Sequence, residues 1–415
     1  MKRNYGIDLL RVTAMGFVAA LHIIGIGGII TGSELLSVEF LTAQFLRIAM
    51  LCAVNCYALI SGFVGWERKP RLSGLATLWL KAVLFCLAIT AFFARTNDFD
   101  YRTWLNALLP VTTGQYWYLT AYVGLFVLMP ILNFAIANMP KKELTWTLSG
   151  ILVLFCILPI SPLTDAFYLH DGYSVLWLAV VYLLGGCLGK YGLLDRLSAG
   201  KWLLVFLCAV VFAWAPRMLA LAWKPRLWYD AYGNILIEYT SPAMVLAAAA
   251  LLAVFSRLRL SEGSQGIVAK ISPCAFGVYL LHAHPLVFRH VLENRFAHLG
   301  TGSIGAMICT VLMWTAVICA AGIAADAALT GLMKLLKVDR LLKKLDTLLY
   351  TYKALPSGRA LFQIVKKRPI QAKPIPSPGG KVAPEGGRKR NSGRNLKVRT
   401  TRRPTKRLDL KRYIQ

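Results

Sequence analysis

The chain has 415 residues, is 57% apolar with a mean hydropathy of +0.56, and carries a formal net charge of +28. Long apolar runs alternate with short polar ones along most of its length, which excludes a soluble globule and fits a protein that crosses a membrane many times. Nine cysteines fall singly at 52, 56, 86, 156, 187, 208, 274, 309 and 319, inside apolar runs and without CxxC or Cys/His ligand spacing, so they read as small core residues rather than a disulfide frame or metal site.

The first run, residues 5–30, is longer than the apolar core of a cleavable signal and lacks a small-residue cleavage site, so it is expected to stay as the first membrane helix. It carries Asp8, Arg11 and His22 where hydrocarbon disfavours them. Arg11 and His22 are eleven residues apart, which returns them to within about 20° of one helix face and about 16 Å apart along the axis. An Arg there can snorkel and a His can bond between helices, yet His22 lies too deep to reach an interface and reads as a functional group.

Nine further segments follow, at 42–65, 74–94, 116–137, 145–160, 173–190, 202–222, 236–256, 273–292 and 303–334, the one at 145–160 being short. The fold class is therefore an all-α integral membrane protein, a polytopic bundle of about ten transmembrane helices. Lys2 and Arg3, Arg68 with Lys69 and Arg71, Lys141 and Lys142, Lys190 with Arg196 and Lys201, and Arg257 with Arg259 and Lys270 all fall on one side, which places both termini in the cytoplasm. The loop at 223–239, with Lys224 and Arg226, fits that rule least well.

The domain organisation reads as a transmembrane domain at 1–336, an amphipathic helix at 337–356 and a basic, disordered tail at 357–415. The amphipathic stretch puts Leu341, Leu342, Leu345, Leu348 and Leu349 on one face, with Lys343, Lys344 and Lys353 near the other. The tail holds 18 Lys and Arg against two acidic residues, 16 of the net charges. It reads as an inert extension or as a tether to anionic lipid. No RNA-binding signature accompanies it, and nucleic acid is not expected among the partners.

The run Ile7-Asp8-Leu9-Leu10-Arg11 with Ala14, Val18 and His22 resembles the first-helix signature of the acyltransferase 3 family, an Arg followed by ten residues and a His. Further matches come in the family's order: Leu59-Ile60-Ser61-Gly62-Phe63 before the basic loop at 68–71, Tyr116-Trp117-Tyr118-Leu119, Met129-Pro130-Ile131-Leu132, Tyr182-Leu183-Leu184-Gly185, and Phe276-Gly277-Val278-Tyr279-Leu280-Leu281-His282. The resemblance spans roughly residues 5–335. It implies a ten-helix enzyme of the cytoplasmic membrane. Such an enzyme moves an acyl group, usually acetyl, from cytoplasmic acyl-CoA, a co-substrate rather than a bound cofactor, to a hydroxyl of a surface glycan or lipid-linked sugar.

The resemblance makes His22 and Arg11 the catalytic pair, and Arg11, Arg68, Lys69 and Arg71 the donor-binding residues. A hydroxyl is a poor nucleophile at neutral pH, and a His is well poised to take its proton, or alternatively to carry the acyl group itself. The loop cations equally serve as a positive-inside anchor. Supporting candidates are Ser61, more useful with Gly62 for close helix packing; Tyr118, in an aromatic cluster that suits either an outer belt or a sugar; His282, near the cytoplasmic half of its helix; and Arg47 with Asn55, facing the bundle. Asp8 is expected to pair with Arg11. His282 and His284 are two residues apart and face different ways on a helix, so no metal site is expected. The rival reading is a transporter or flippase that uses the same Arg and His face.

Overall fold

In a computed structural model the described residues are 3–158, 165, 167–223 and 236–351. Among them the chain is helical throughout, without strands. The expected tail at 357–415, and the part of the 223–239 loop holding Lys224 and Arg226, lie outside the described residues.

The bundle is built around α1 (Tyr5–Ile24). Asn4 caps it by accepting the Ile7 N–H, while its own amide donates to the Ser256 carbonyl at 2.7 Å, fastening the helix start to a neighbour. A left-handed Gly28 leads into α2 (Ile29–Gly32). The expected second segment divides at Cys52 into α3 (Val38–Leu51) and α4 (Ala53–Gly65). Then come α5 (Leu72–Phe93), α6 (Tyr101–Leu108), capped by Asp100, and α7 (Trp117–Asn138). The segment at 145–160 begins earlier, as α8 (Lys141–Leu152), and runs on as a wide turn over Val153–Ile157.

Next are α9 (Val175–Tyr191), α10 (Ala199–Trp223) and α11 (Pro242–Ser256). The last begins later than the apolar run suggests, because Ser241 caps it and Pro242 lacks the N–H to extend it backward. α12 (Glu262–Ile271) and α13 (Ala275–His282) precede the short Pro285–Leu292 segment, and α14 (Ile304–Leu335) and α15 (Val338–Thr351) finish the described chain.

Six helical stretches among the described residues are long and apolar enough to cross a membrane, or seven if a bent pair counts as one span; α9 and α11 are shorter apolar helices. The expected helix at 273–292 is that bent pair. Its halves, Glu262–His282 and Pro285–Leu292, meet at 59°. Pro285 cannot donate a helical hydrogen bond and drives His284 to an extended ψ of 133°, so the helix stops after His282.

α1 packs against α3, α4, α11, α13 and α14. α4 and α9 cross with their backbones in direct contact. A Cβ on Gly62 would overlap the Tyr182 carbonyl and one on Gly185 the Leu59 carbonyl, so the two backbones touch only because these residues are glycines. By contrast α14 presents much of its length outward, with Leu312 60% exposed, as a helix bathed in lipid should. α15 docks on the start of α5, where Asp346 accepts from the Ser73 N–H at 2.9 Å and from the Ser73 hydroxyl at 2.5 Å. Leu342 and Leu345 are half-buried, whereas Leu341 points outward instead of joining them.

Two expectations follow. Gly62→Ala should destabilise the protein by about 1–3 kcal/mol, because the overlap is with backbone; Gly74→Ala, where a Cβ meets nothing within 4 Å, should be neutral or slightly stabilising in thermal unfolding followed by Trp fluorescence. The Ser73 hydrogen bonds and Arg71 hold the Asp346 carboxyl below its ordinary value. The α15 contact should therefore persist at neutral pH and open only as pH falls below about 4. Hydrogen-exchange protection of the Ser73 amide, corrected for intrinsic rate, reads it, and Asp346→Asn should weaken protection already at neutral pH.

Candidate active site

His22 sits in the last turn of α1 and His282 at the end of α13, just before the break. His22 Nδ1 lies 3.0 Å from His282 Nε2, with ring centroids 5.1 Å apart. His282 Nδ1 lies 2.5 Å from the Val278 carbonyl one turn earlier. A carbonyl only accepts, so in the neutral pair His282 Nδ1 bears the proton and its Nε2 offers a lone pair. His22 Nδ1–H must then be the donor, which leaves the lone pair of His22 on Nε2. Phe288 packs edge-on against the His22 ring at 4.8 Å. His282 is buried at 2% exposure, whereas His22 keeps part of its surface open.

The helix breaks just beyond this pair. His284, fully buried, caps the next turn by accepting the Leu286 N–H on Nδ1, and its Nε2 meets the Gln115 amide at 3.2 Å. Tyr116 donates to the Leu280 carbonyl at 2.6 Å and holds the end of α13. The aromatic run at 116–118 is thus turned inward, Tyr116 being 1% exposed, and does not form the outer belt that its position in sequence allows. His282 also lies in a different half of the bundle from the one expected. It is level with His22, which is seventeen residues or about 26 Å along α1 from Tyr5, and so is remote from the end that bears Arg3, Arg68 and Arg71.

At that basic end, Asp8 accepts from Arg11 Nη1 at 2.5 Å and from Arg3 Nε at 2.6 Å, so the expected Asp8 and Arg11 pair exists with a second cation on it. Tyr57 donates to the Arg11 carbonyl at 2.6 Å. From Tyr57 a chain of rings runs inward: Tyr118 at 6.2 Å, then Tyr279 at 6.5 Å, then His282 at 6.5 Å. A run of packed tyrosine rings therefore links the backbone at Arg11 to the imidazole pair.

The other expected site residues are spread more widely. Arg68, Lys69 and Arg71 are exposed and, with Asp346, line a cavity of about 830 Å³ at the basic end. Ser61 spends its hydroxyl on the Tyr57 carbonyl at 2.8 Å, one turn back on its own helix, and does not meet the histidines. Arg47 lies near Tyr173 and Tyr239, whose rings pack against Trp117 at 4.4 and 6.0 Å between centroids. Asn55 is fully buried, donating to the Tyr239 carbonyl and accepting from Trp177 Nε1, which makes it a brace. Among the described residues no group of three or more His, Cys, Asp or Glu is placed to hold a metal ion.

Sequence reasoning passed over the pair formed by Lys81 on α5 and Asp326 on α14, 2.8 Å apart with Asp326 1% exposed. The signal was present: each is a lone charge inside an otherwise apolar run, of opposite sign. Tyr57 and Tyr279, the linking rings, carried no such signal.

A helical bundle with apolar membrane-length helices, a paired imidazole inside it and an arginine on the same helix face defines a multi-pass membrane protein with chemistry in its interior. The chain belongs to the acyltransferase 3 family, since the family model described as an acyltransferase domain matches residues 4–325, from α1 through most of α14. No curated protein and no solved structure gives a match. The protein is a membrane acyltransferase by that membership.

Removing one partner of the buried ion pair leaves an uncompensated charge, so Lys81→Met should cost about 3–5 kcal/mol. Combining it with Asp326→Leu should recover most of that loss, and a thermal double-mutant cycle measures the coupling.

Proposed function

We propose that the protein transfers an acyl group, acetyl foremost, from acyl-CoA to a hydroxyl of a surface glycan or lipid-linked sugar. In this reading the chain crosses the cytoplasmic membrane ten times with both termini in the cytoplasm. Acyl-CoA then enters at the basic end, where Arg68, Lys69 and Arg71 hold its nucleotide phosphates and Arg11 meets a phosphate further in, so that the extended arm carries the thioester on to His22.

The observation that carries the reading is the hydrogen-bonded run from the Val278 carbonyl through His282 to His22, which leaves His22 Nε2 as the open lone pair. His22 takes the proton of the acceptor hydroxyl as its oxygen attacks the thioester carbonyl. The tetrahedral adduct then collapses, the C–S bond breaks, and the CoA thiolate takes that proton back from His22. Throughout, His282 accepts from Nδ1–H and fixes the ring's tautomer and direction, the service a carboxylate performs in hydrolytic triads.

Full-length protein in liposomes, supplied with radiolabelled acetyl-CoA and a glycan extract, tests this. His22→Ala should lower transfer by about 10²–10⁴-fold, while the packing control Leu21→Ala stays active. His282→Ala should lower kcat by about 10–100-fold with little change in KM for acetyl-CoA. His282→Gln should recover part of that loss, because its amide oxygen can accept from His22. Arg11→Ala should mainly raise KM for acetyl-CoA. Full activity in His22→Ala overturns the assignment.

A further inference from the structure

The first turn of α5 takes its anion from elsewhere in the chain. Arg71 stands at the N-cap and makes no side-chain cap, so the Ser73 N–H finds its acceptor outside the helix. That acceptor comes from 273 residues further on: Asp346 of α15 takes the Ser73 N–H at 2.9 Å and the Ser73 hydroxyl at 2.5 Å, with Arg71 beside it.

The same Asp346 lines, with Arg68, Lys69 and Arg71, the cavity of about 830 Å³ at the basic end. A carboxylate thus sits among these cations at the start of a helix, where the backbone dipole also favours negative charge. Such surroundings suit a phosphate, and here a side chain of the protein occupies them.

α15 is lightly held. Lys337, left-handed at φ 57°, is the turn that separates it from α14. Among its described side chains the apolar anchorage is slight, since Leu341 is 64% exposed and Leu342 and Leu345 are only half-buried. Its hold on α5 therefore leans on Asp346, and an element with few buried apolar contacts opens at low cost.

We infer that α15 is an autoinhibitory strap: Asp346 keeps the seat formed by Ser73 and Arg71 filled until a phosphate of the acyl donor displaces it. This rests on the donor-binding role proposed above for Arg68, Lys69 and Arg71, and it adds Ser73 to that site. A terminal phosphate brings three acceptor oxygens and more charge than a carboxylate, so it gains more from the same donors. The tethered carboxylate has a high local concentration instead, and it raises the donor's apparent Kd in inverse proportion to the fraction of open seats.

The test uses full-length protein in phosphatidylcholine nanodiscs, titrated with radiolabelled CoA and followed in parallel by hydrogen exchange. CoA should speed exchange of the backbone amides at 338–351, and pantetheine, which lacks the phosphates, should not. Asp346→Asn should speed that exchange without ligand and tighten CoA by about tenfold. Asp339→Asn, which takes the same charge from α15 away from the cavity, should do neither. Ser73→Ala removes a donor from both occupants, so it should loosen α15 yet leave CoA no tighter. In turnover, Asp346→Asn should lower KM for acetyl-CoA with kcat unchanged.

Exchange at 338–351 that is unchanged or slowed by CoA overturns the strap, as does an Asp346→Asn variant that binds CoA no better than wild type; in either case the donor site stands. CoA binding indifferent to Arg68→Ala with Arg71→Ala overturns the donor site itself, and the strap with it.

Discussion

The hydrogen bond between His22 Nδ1 and His282 Nε2 joins two residues 260 positions apart, and much of the bundle is arranged so that it can form. α13 stops after His282, ahead of Pro285, and Tyr116 holds its end through the Leu280 carbonyl. α1 must run unbroken from Tyr5 so that one face carries both Arg11 and His22. An imidazole buried without a partner in a low-dielectric interior is costly. Here the cost is offset by a line of bonds that ends on a backbone carbonyl.

The same rule governs the other polar groups in the apolar interior. Asp8 meets two guanidinium groups, Lys81 meets Asp326, and Asn55 meets Trp177 and a carbonyl. Each pairing ties together helices that are distant in sequence, apart from that of Asp8, which stays near the start of α1. Because lipid gives no hydrophobic drive for helices to associate, such polar ties and the close glycine crossing of α4 with α9 supply specificity that a soluble core obtains from burial.

A run of tyrosine rings links the histidines back toward Arg11, and an apolar cavity between α5 and α14 has His282 in its lining. Arg47 lies near Tyr173 and Tyr239, apart from the histidines.

The sequence by itself settled the class of protein, because the length and apolarity of a run depend only on local composition. It also settled which residues of α1 share a face, because helical periodicity is local, and the motif order that marks the family. It placed Arg11 and His22 together on that ground, and the charge pattern singled out Asp8 as the partner of Arg11. What needed the tertiary structure was every relation across helices. His282 meets His22, Tyr118 meets Tyr279, and Lys81 finds Asp326 only where separate helices come together. Periodicity fixes angles within one helix; it says nothing of the rotation and depth at which two helices meet, and those follow from packing and polar pairing summed over the whole bundle.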